Sequence, residues 1–184
     1  FKDGSFGTGG AYGRNVAVSA LCGIAFLSSG STPGRGQYGR HVQKTVDFIL
    51  ASATPSGFIN DKASESHGPM YGHGFATLFL AEVYGMTARK DVREKLEKAA
   101  KLIIKTQNKD GGWRYHPEAS EADISVTVCQ IMALRAARNC GIFVPKQTVD
   151  RCIDYVKRCQ NPRDGGFRYR LKARRDSLFP RSAA

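Results

Sequence analysis

Two kinds of apolar segment alternate along the chain. One kind carries its apolar residues in a one-sided stripe: Val42, Val46, Ile49, Leu50 and Ala53; then Val92, Leu96, Ala99, Ala100, Ile103 and Ile104; then Val149, Cys152, Ile153, Val156 and Cys159. Steps of three and four residues place each set on one face of an α-helix. Lysine and arginine fill the opposite faces, as at Arg89, Lys90, Lys95, Lys98, Lys101 and Lys105, which predicts helices with one side in water. The other kind of segment, at 16–27, 75–84 and 126–134, is apolar nearly all round. A helix without a polar face must be covered on every side. The pattern therefore predicts an all-α chain in two layers, with buried inner helices wrapped by amphipathic outer ones.

The alternation is periodic. A Gly-aromatic signature occurs four times, as Asp3-Gly4-Ser5-Phe6, Pro55-Ser56-Gly57-Phe58, Asp110-Gly111-Gly112-Trp113 and Asp164-Gly165-Gly166-Phe167. Its aromatic residues are separated by 52, 55 and 54 positions. Three helical hairpins of about 54 residues follow, with repeats near 7–58, 59–113 and 114–167 and a basic tail at 168–184. A single hairpin cannot bury its own apolar surface, so neighbouring repeats must stack. A right-handed superhelical solenoid is the other architecture, but such repeats usually run about 34 to 47 residues. Gly30, Gly85 and Gly141 follow the inner segments, where a left-handed cap is expected. The chain starts inside one signature turn and stops where another inner helix is due, so it reads as one domain, 1–184, cut at both ends.

Composition changes this picture little. No apolar run reaches the about 20 residues needed to cross a bilayer. Residues 1–7 lack the apolar core of a signal peptide, so compartment is left open. Five cysteines without a Cys-x-x-Cys pair, four of them at apolar helix positions, read as small hydrophobes. The net charge of +12 is spread over the outer helices. Only residues 163–181, with seven basic side chains against Asp164 and Asp176, form a dense patch. No nucleic-acid motif accompanies that patch, which argues against a nucleic-acid partner. Gly7-Thr8-Gly9-Gly10 has neither the full dinucleotide spacing nor a preceding strand.

Residues 98–113, ending Gln107-Asn108-Lys109-Asp110-Gly111-Gly112-Trp113, resemble the Gln-Trp motif of squalene and oxidosqualene cyclases, with Leu102 replacing the usual aromatic. Residues 155–160 followed by Asp164-Gly165-Gly166-Phe167 form a second copy, and 48–58 a degenerate third with Ala53 in the place of Gln. The resemblance extends over essentially the whole chain and implies an α/α-toroid of the terpenoid cyclase and protein prenyltransferase type, here partial and open. Gln107, Gly111, Gly112, Trp113, Gln160, Gly165, Gly166 and Phe167 are then structural: Gln satisfies helix-end groups, glycine permits the turn, and the ring packs over it.

The same resemblance places chemistry at the inner-helix N-termini, whose dipoles point into a central cavity. Tyr12, Arg14, Tyr71, His73 and Asp123 are the candidate ligand contacts, and Asp123 and His73 the candidate acid or base. Asp123 also suits a helix N-cap, and His73 a ring satisfied by backbone. The family's protonating Asp falls on Ser125, and its Asp-x-Cys zinc pattern finds Asp123-Ile124-Ser125 with no later histidine. His67 and His73 do not share metal-ligand spacing either, so no metal or other cofactor is expected. The partner implied is an apolar or isoprenoid-like ligand, with self-association through the open repeat ends as a further expectation. The alternative is a non-catalytic scaffold for a protein or an anionic polymer.

Overall fold

A computed structural model describes residues 1–8, 13–61 and 68–171. Tyr12, His67 and the tail beyond Leu171 lie outside the described residues. Six helices run in order: α1 (Val16–Ser28), α2 (Gly39–Ala51), α3 (Pro69–Tyr84), α4 (Lys90–Lys105), α5 (Ile124–Asn139) and α6 (Lys146–Cys159). The inner helices are α1, α3 and α5, with α3 packed between the other two. The outer helices α2, α4 and α6 each lie against the inner helix before them. Among the described residues the inner layer is an arc of three helices.

Local chemistry starts and stops these helices. Asn15 caps α1 by accepting from the N–H of Val18 at 3.0 Å, and Asp123 caps α5 by accepting from Val126 at 2.9 Å. Between them α3 opens instead with Pro69 in its first turn, where a missing N–H costs nothing. In α4, Asp91 lies in the first turn and Lys105 in the last, matching the helix dipole. Gly30 and Gly141 take the expected left-handed geometry, φ 86° and 87°. Gly85 does not: at φ −68° it stays right-handed, because Met86 turns back with a 2.8 Å bond to the Val83 carbonyl.

The core lies between the layers. Met70, Ala76, Phe79, Leu80 and Val83 of α3 and Val92, Leu96, Ala99, Ala100 and Ile103 of α4 are wholly buried. Gly23 lets α1 approach α3 so closely that a Cβ there would sit 2.5 Å from the Phe79 ring. In α6 the stripe expected from sequence shifts: Ile153 is exposed and Tyr155 is buried in its place. Among the described residues no further helix packs against α6 beyond α5 with comparable contact, so one side of its stripe faces solvent. All five cysteines are free thiols, with Cys129, Cys152 and Cys159 buried and Cys22 and Cys140 partly open.

The repeats are locked together by the turn glycines. Gly4, Gly57 and Gly111 have φ 92°, 91° and 100°, and a Cβ on them would meet the backbone carbonyl of Lys44, Lys98 or Arg151 at 2.2, 2.5 or 2.1 Å. Each glycine thus abuts the outer helix that follows it. These contacts set the register, and they correct the sequence alignment by one place. Gly57 corresponds to Gly111, so Ile59, not Phe58, occupies the position of Trp113. Ile59 is fully buried there, whereas the Phe58 ring lies 5.4 Å from the His73 imidazole.

Candidate functional site

The signature turns feed directly into the inner-helix starts. Gln107 donates from its amide nitrogen to the Gly111 carbonyl at 2.8 Å and to the Thr148 carbonyl of α6 at 2.9 Å. It ties its own turn to the next outer helix. Gln160, more exposed, donates to the Gly165 carbonyl at 3.3 Å. Trp113 is buried, its indole N–H donating to the Ile103 carbonyl at 2.7 Å. Gly112 has Ala122, Thr127 and Tyr155 around it with no room for a side chain, and Gly166 is likewise buried. Phe167 packs against the small cluster of Ala122, Ile124, Tyr155 and Cys159.

His73 belongs to this scaffolding by position. Its Nδ1 accepts from the backbone N–H of Ile59 at 3.1 Å, and its Nε2 lies 3.3 Å from the Ala99 carbonyl. The equivalent N–H of Phe6 donates to Ser19 Oγ at 2.8 Å, and that of Trp113 to Thr127 Oγ1 at 3.1 Å. Ser19, His73 and Thr127 stand 54 residues apart and perform one task, receiving the turn residue's N–H. Burial pulls the imidazole down to about 4, so the ring is neutral near pH 7. It has no exposed surface and does not reach the inner face.

Asp123, Tyr71 and Ser125 do come together. Ser125 donates its hydroxyl hydrogen to Asp123 Oδ1 at 2.7 Å, and Tyr71 Oη lies 2.6 Å from Ser125 Oγ. Serine has one hydrogen to give, so Tyr71 is the donor in that contact. Arg114 Nη1 holds Asp123 Oδ2 at 2.9 Å. Both carboxylate oxygens of Asp123 are therefore occupied by donors: Ser125 and Val126 on one, Arg114 on the other. Burial pushes the Tyr71 phenol up to about 12, opposed by the Ser125 contact and reinforced by the charge of Asp123. Burial likewise raises Cys129, one turn below Ser125, to about 12, which keeps it a thiol.

Arg14 stands apart from this group. It adopts φ 50°, is half exposed, pairs with Asp3 and Asp61 and lies over the Phe48 ring. The residues that the pattern of candidate sites omitted are Arg114, Tyr115 and Tyr169. Arg114 lies 4.2 Å over the Tyr115 ring, Tyr115 and Tyr169 share a hydroxyl contact, and the Tyr115 ring is 5.9 Å from that of Tyr71. Their backbones also seat the inner helices: the Tyr115 carbonyl accepts from Met70 and that of Tyr169 from Ile124, each at 3.0 Å. Their signal was present, since Trp113-Arg114-Tyr115 recurs as Phe167-Arg168-Tyr169.

Below this polar rim the inner helices keep an apolar face partly open. In the 54-residue register the rungs are Ala17, Tyr71 and Ser125; then Leu21, Phe75 and Cys129; then Ile24, Leu78 and Met132. Leu21 is 45% and Met132 47% exposed, and the other members except Cys129 are partly exposed. From Tyr71 to Leu78 the face descends about 10 Å, at 1.5 Å per residue. Among the described residues no three His, Cys, Asp or Glu side chains gather as a metal-binding group. No helix among them is long and apolar enough to cross a membrane.

No curated protein sequence matches this chain. The family model described as the prenyltransferase alpha-alpha toroid domain matches it twice, over residues 2–103 and 72–173. The two matches overlap and together take in all six helices, so the hairpin order, the turn glycines and the family pattern coincide. On that evidence the chain belongs to the prenyltransferase α/α-toroid family.

Proposed function

We propose that this protein is a terpenoid-cyclase-like or prenyltransferase-like repeat protein that binds an elongated apolar, isoprenoid-like ligand along its inner helices. The observation that carries this reading is the three-rung face of Leu21, Phe75, Ile24, Leu78 and Met132 beneath the hydroxyls of Tyr71 and Ser125. A large apolar side chain half open to water on an inner helix is an unfilled contact. The ligand's polar end belongs at the rim, where the hydroxyl oxygens of Tyr71 and Ser125 offer lone pairs. Binding and orientation are the roles this reading gives them. Protonation of an alkene is not among them, because Asp123 accepts on both oxygens and Ser125 is a poor acid.

Titration with farnesol, followed by the fluorescence of the single tryptophan or by calorimetry, tests this. Saturable binding is expected, weakened at least tenfold by Leu78→Asp or Met132→Asp and several-fold by Tyr71→Phe. Unchanged affinity in both aspartate variants, with the fold intact by circular dichroism, would sink the reading. The second reading, a scaffold for an acidic partner, is favoured by a cationic groove on α4.

A further inference from the structure

Two inter-repeat loops cross towards the preceding outer helix, and among the described residues an ion pair bridges only the first crossing. Where the α3–α4 loop crosses towards α2, Arg89 grips Asp47 and also pairs with Asp91 at 2.7 Å. The register set by the turn glycines, Gly4 on Lys44 and Gly57 on Lys98, carries Asp47 onto Lys101. At the next crossing the α5–α6 loop therefore meets a lysine where its predecessor met a carboxylate. That loop, Gly141-Ile142-Phe143-Val144-Pro145, has no charged side chain with which to bridge. An open groove of ≈ 510 Å³ lies there, bordered by Arg93, Glu97, Lys101, Ile104, Lys105 and Phe143, three cations against one carboxylate. Phe143 is 82% exposed, the most open large apolar side chain among the described residues.

We infer that this groove docks a short acidic segment of another protein that also carries an apolar anchor. Charge decides the sign of the occupant. Arg93 is engaged by Glu97 at 2.9 Å, whereas Lys101 and Lys105 have no carboxylate partner among the described residues. Their ammonium groups call for carboxylates, while Ile104 and Phe143 supply a contact for one or two aliphatic side chains. A second copy of this chain is a poor occupant, because it carries the same charge of +12. The length also fits a peptide: Arg93 to Lys105 spans about 18 Å of helix. That is the reach of five or six extended residues at about 3.3 Å each. This inference is independent of the inner face, which lies on the other side of the hairpins.

The test uses the full chain and a fluorescein-labelled eight-residue peptide of glutamates with two central leucines, read by polarisation. Saturable binding is expected, weakened at least tenfold by Lys101→Glu and by Phe143→Ser, with melting temperatures unchanged since both side chains are exposed. The double change Lys101→Asp with Phe143→Arg, which reverses a charge and removes the apolar anchor together, is expected to abolish binding. An octaglutamate control should bind at least tenfold more weakly than the leucine-containing peptide. Absence of saturable binding, equal affinity for octaglutamate, or indifference to both single substitutions overturns the proposal. So does Phe143-dependent sedimentation with phosphatidylserine vesicles in the absence of peptide binding, which would make the surface a lipid contact.

Discussion

At the scale of single residues, His73 shows how a repeat assigns a role that an isolated side chain conceals. A histidine at an inner-helix start reads as chemistry, but its counterparts Ser19 and Thr127 receive the same backbone N–H that it does. The physical requirement is an acceptor at that point, and three residue types meet it. Stability follows from its depressed pKa. Above the unfolded value of 6.5 the ring is neutral in both states and its contribution is complete. As pH falls from 6.5 towards about 4, the unfolded chain takes up a proton that the folded one refuses, so stability is lost across that window. The loss should reach about 2 kcal/mol by pH 5. Urea midpoints of the native chain and His73→Asn at pH 7.5 and 5.0 check this: the variant, whose amide oxygen can replace Nδ1, should lack that part of the decline. Parallel declines would show that His73 is not buried neutral.

Asp123 is bound by its neighbours in a different way. Its ion pair with Arg114 is buried at the carboxylate end and about one-seventh exposed at the guanidinium end. Removing one member of such a pair leaves the other uncompensated, a cost of about 3 kcal/mol at the low end of the buried range. Arg114→Met should lower stability by that amount, read by thermal or urea unfolding, and Asp123→Asn by less because the cap and the serine contact persist. A neutral Arg114→Met would mean that water already serves Asp123.

At the scale of elements, the signature turn couples hairpins in two ways. The indole of Trp113 fills the space between α4 and the start of α5, so Trp113→Ala should cost about 3 to 5 kcal/mol. Gly111 acts through backbone instead. A Cβ at 2.1 Å from the Arg151 carbonyl cannot be relieved by moving a side chain, and φ 100° is strained for any other residue. Gly111→Ala should therefore destabilise by about 1 to 3 kcal/mol and loosen α6. Differential scanning calorimetry of both variants gives the comparison, with amide exchange in α6 as the local readout. A melting temperature unchanged in Trp113→Ala would place that ring outside the core. Much of this was legible in advance, because the outer stripes, the signature spacing and the Asp123 cap depend on neighbours within one or two turns. The one-place slip between Phe58 and Ile59 was not legible. Aromatic identity suggested one alignment, while the close approach of Gly57 to Lys98 imposed another.

At the scale of the whole molecule, the arc of α1, α3 and α5 leaves its apolar face open beneath a rim where Asp123 is engaged on both carboxylate oxygens and Glu121 is paired with Arg114 and Arg170. Incubation with squalene, or with a prenyl diphosphate and a thiol peptide, should yield no product by mass spectrometry. Turnover that vanished in Asp123→Asn would overturn that expectation and make the carboxylate the acid.

The sequence by itself determined the all-α character, the two layers and the repeat of about 54 residues, since each follows from helical spacing and from the need to cover apolar faces. It also marked Tyr71 and Asp123 by their position at helix starts. Only the tertiary structure decided what those residues meet. Tyr71 and Ser125 lie 54 positions apart, Arg89 reaches back 42 residues to Asp47, and no local pattern encodes such contacts. Side-chain partners depend on how closely backbones approach, and here that approach is set by glycines pressed against the carbonyls of the following repeat.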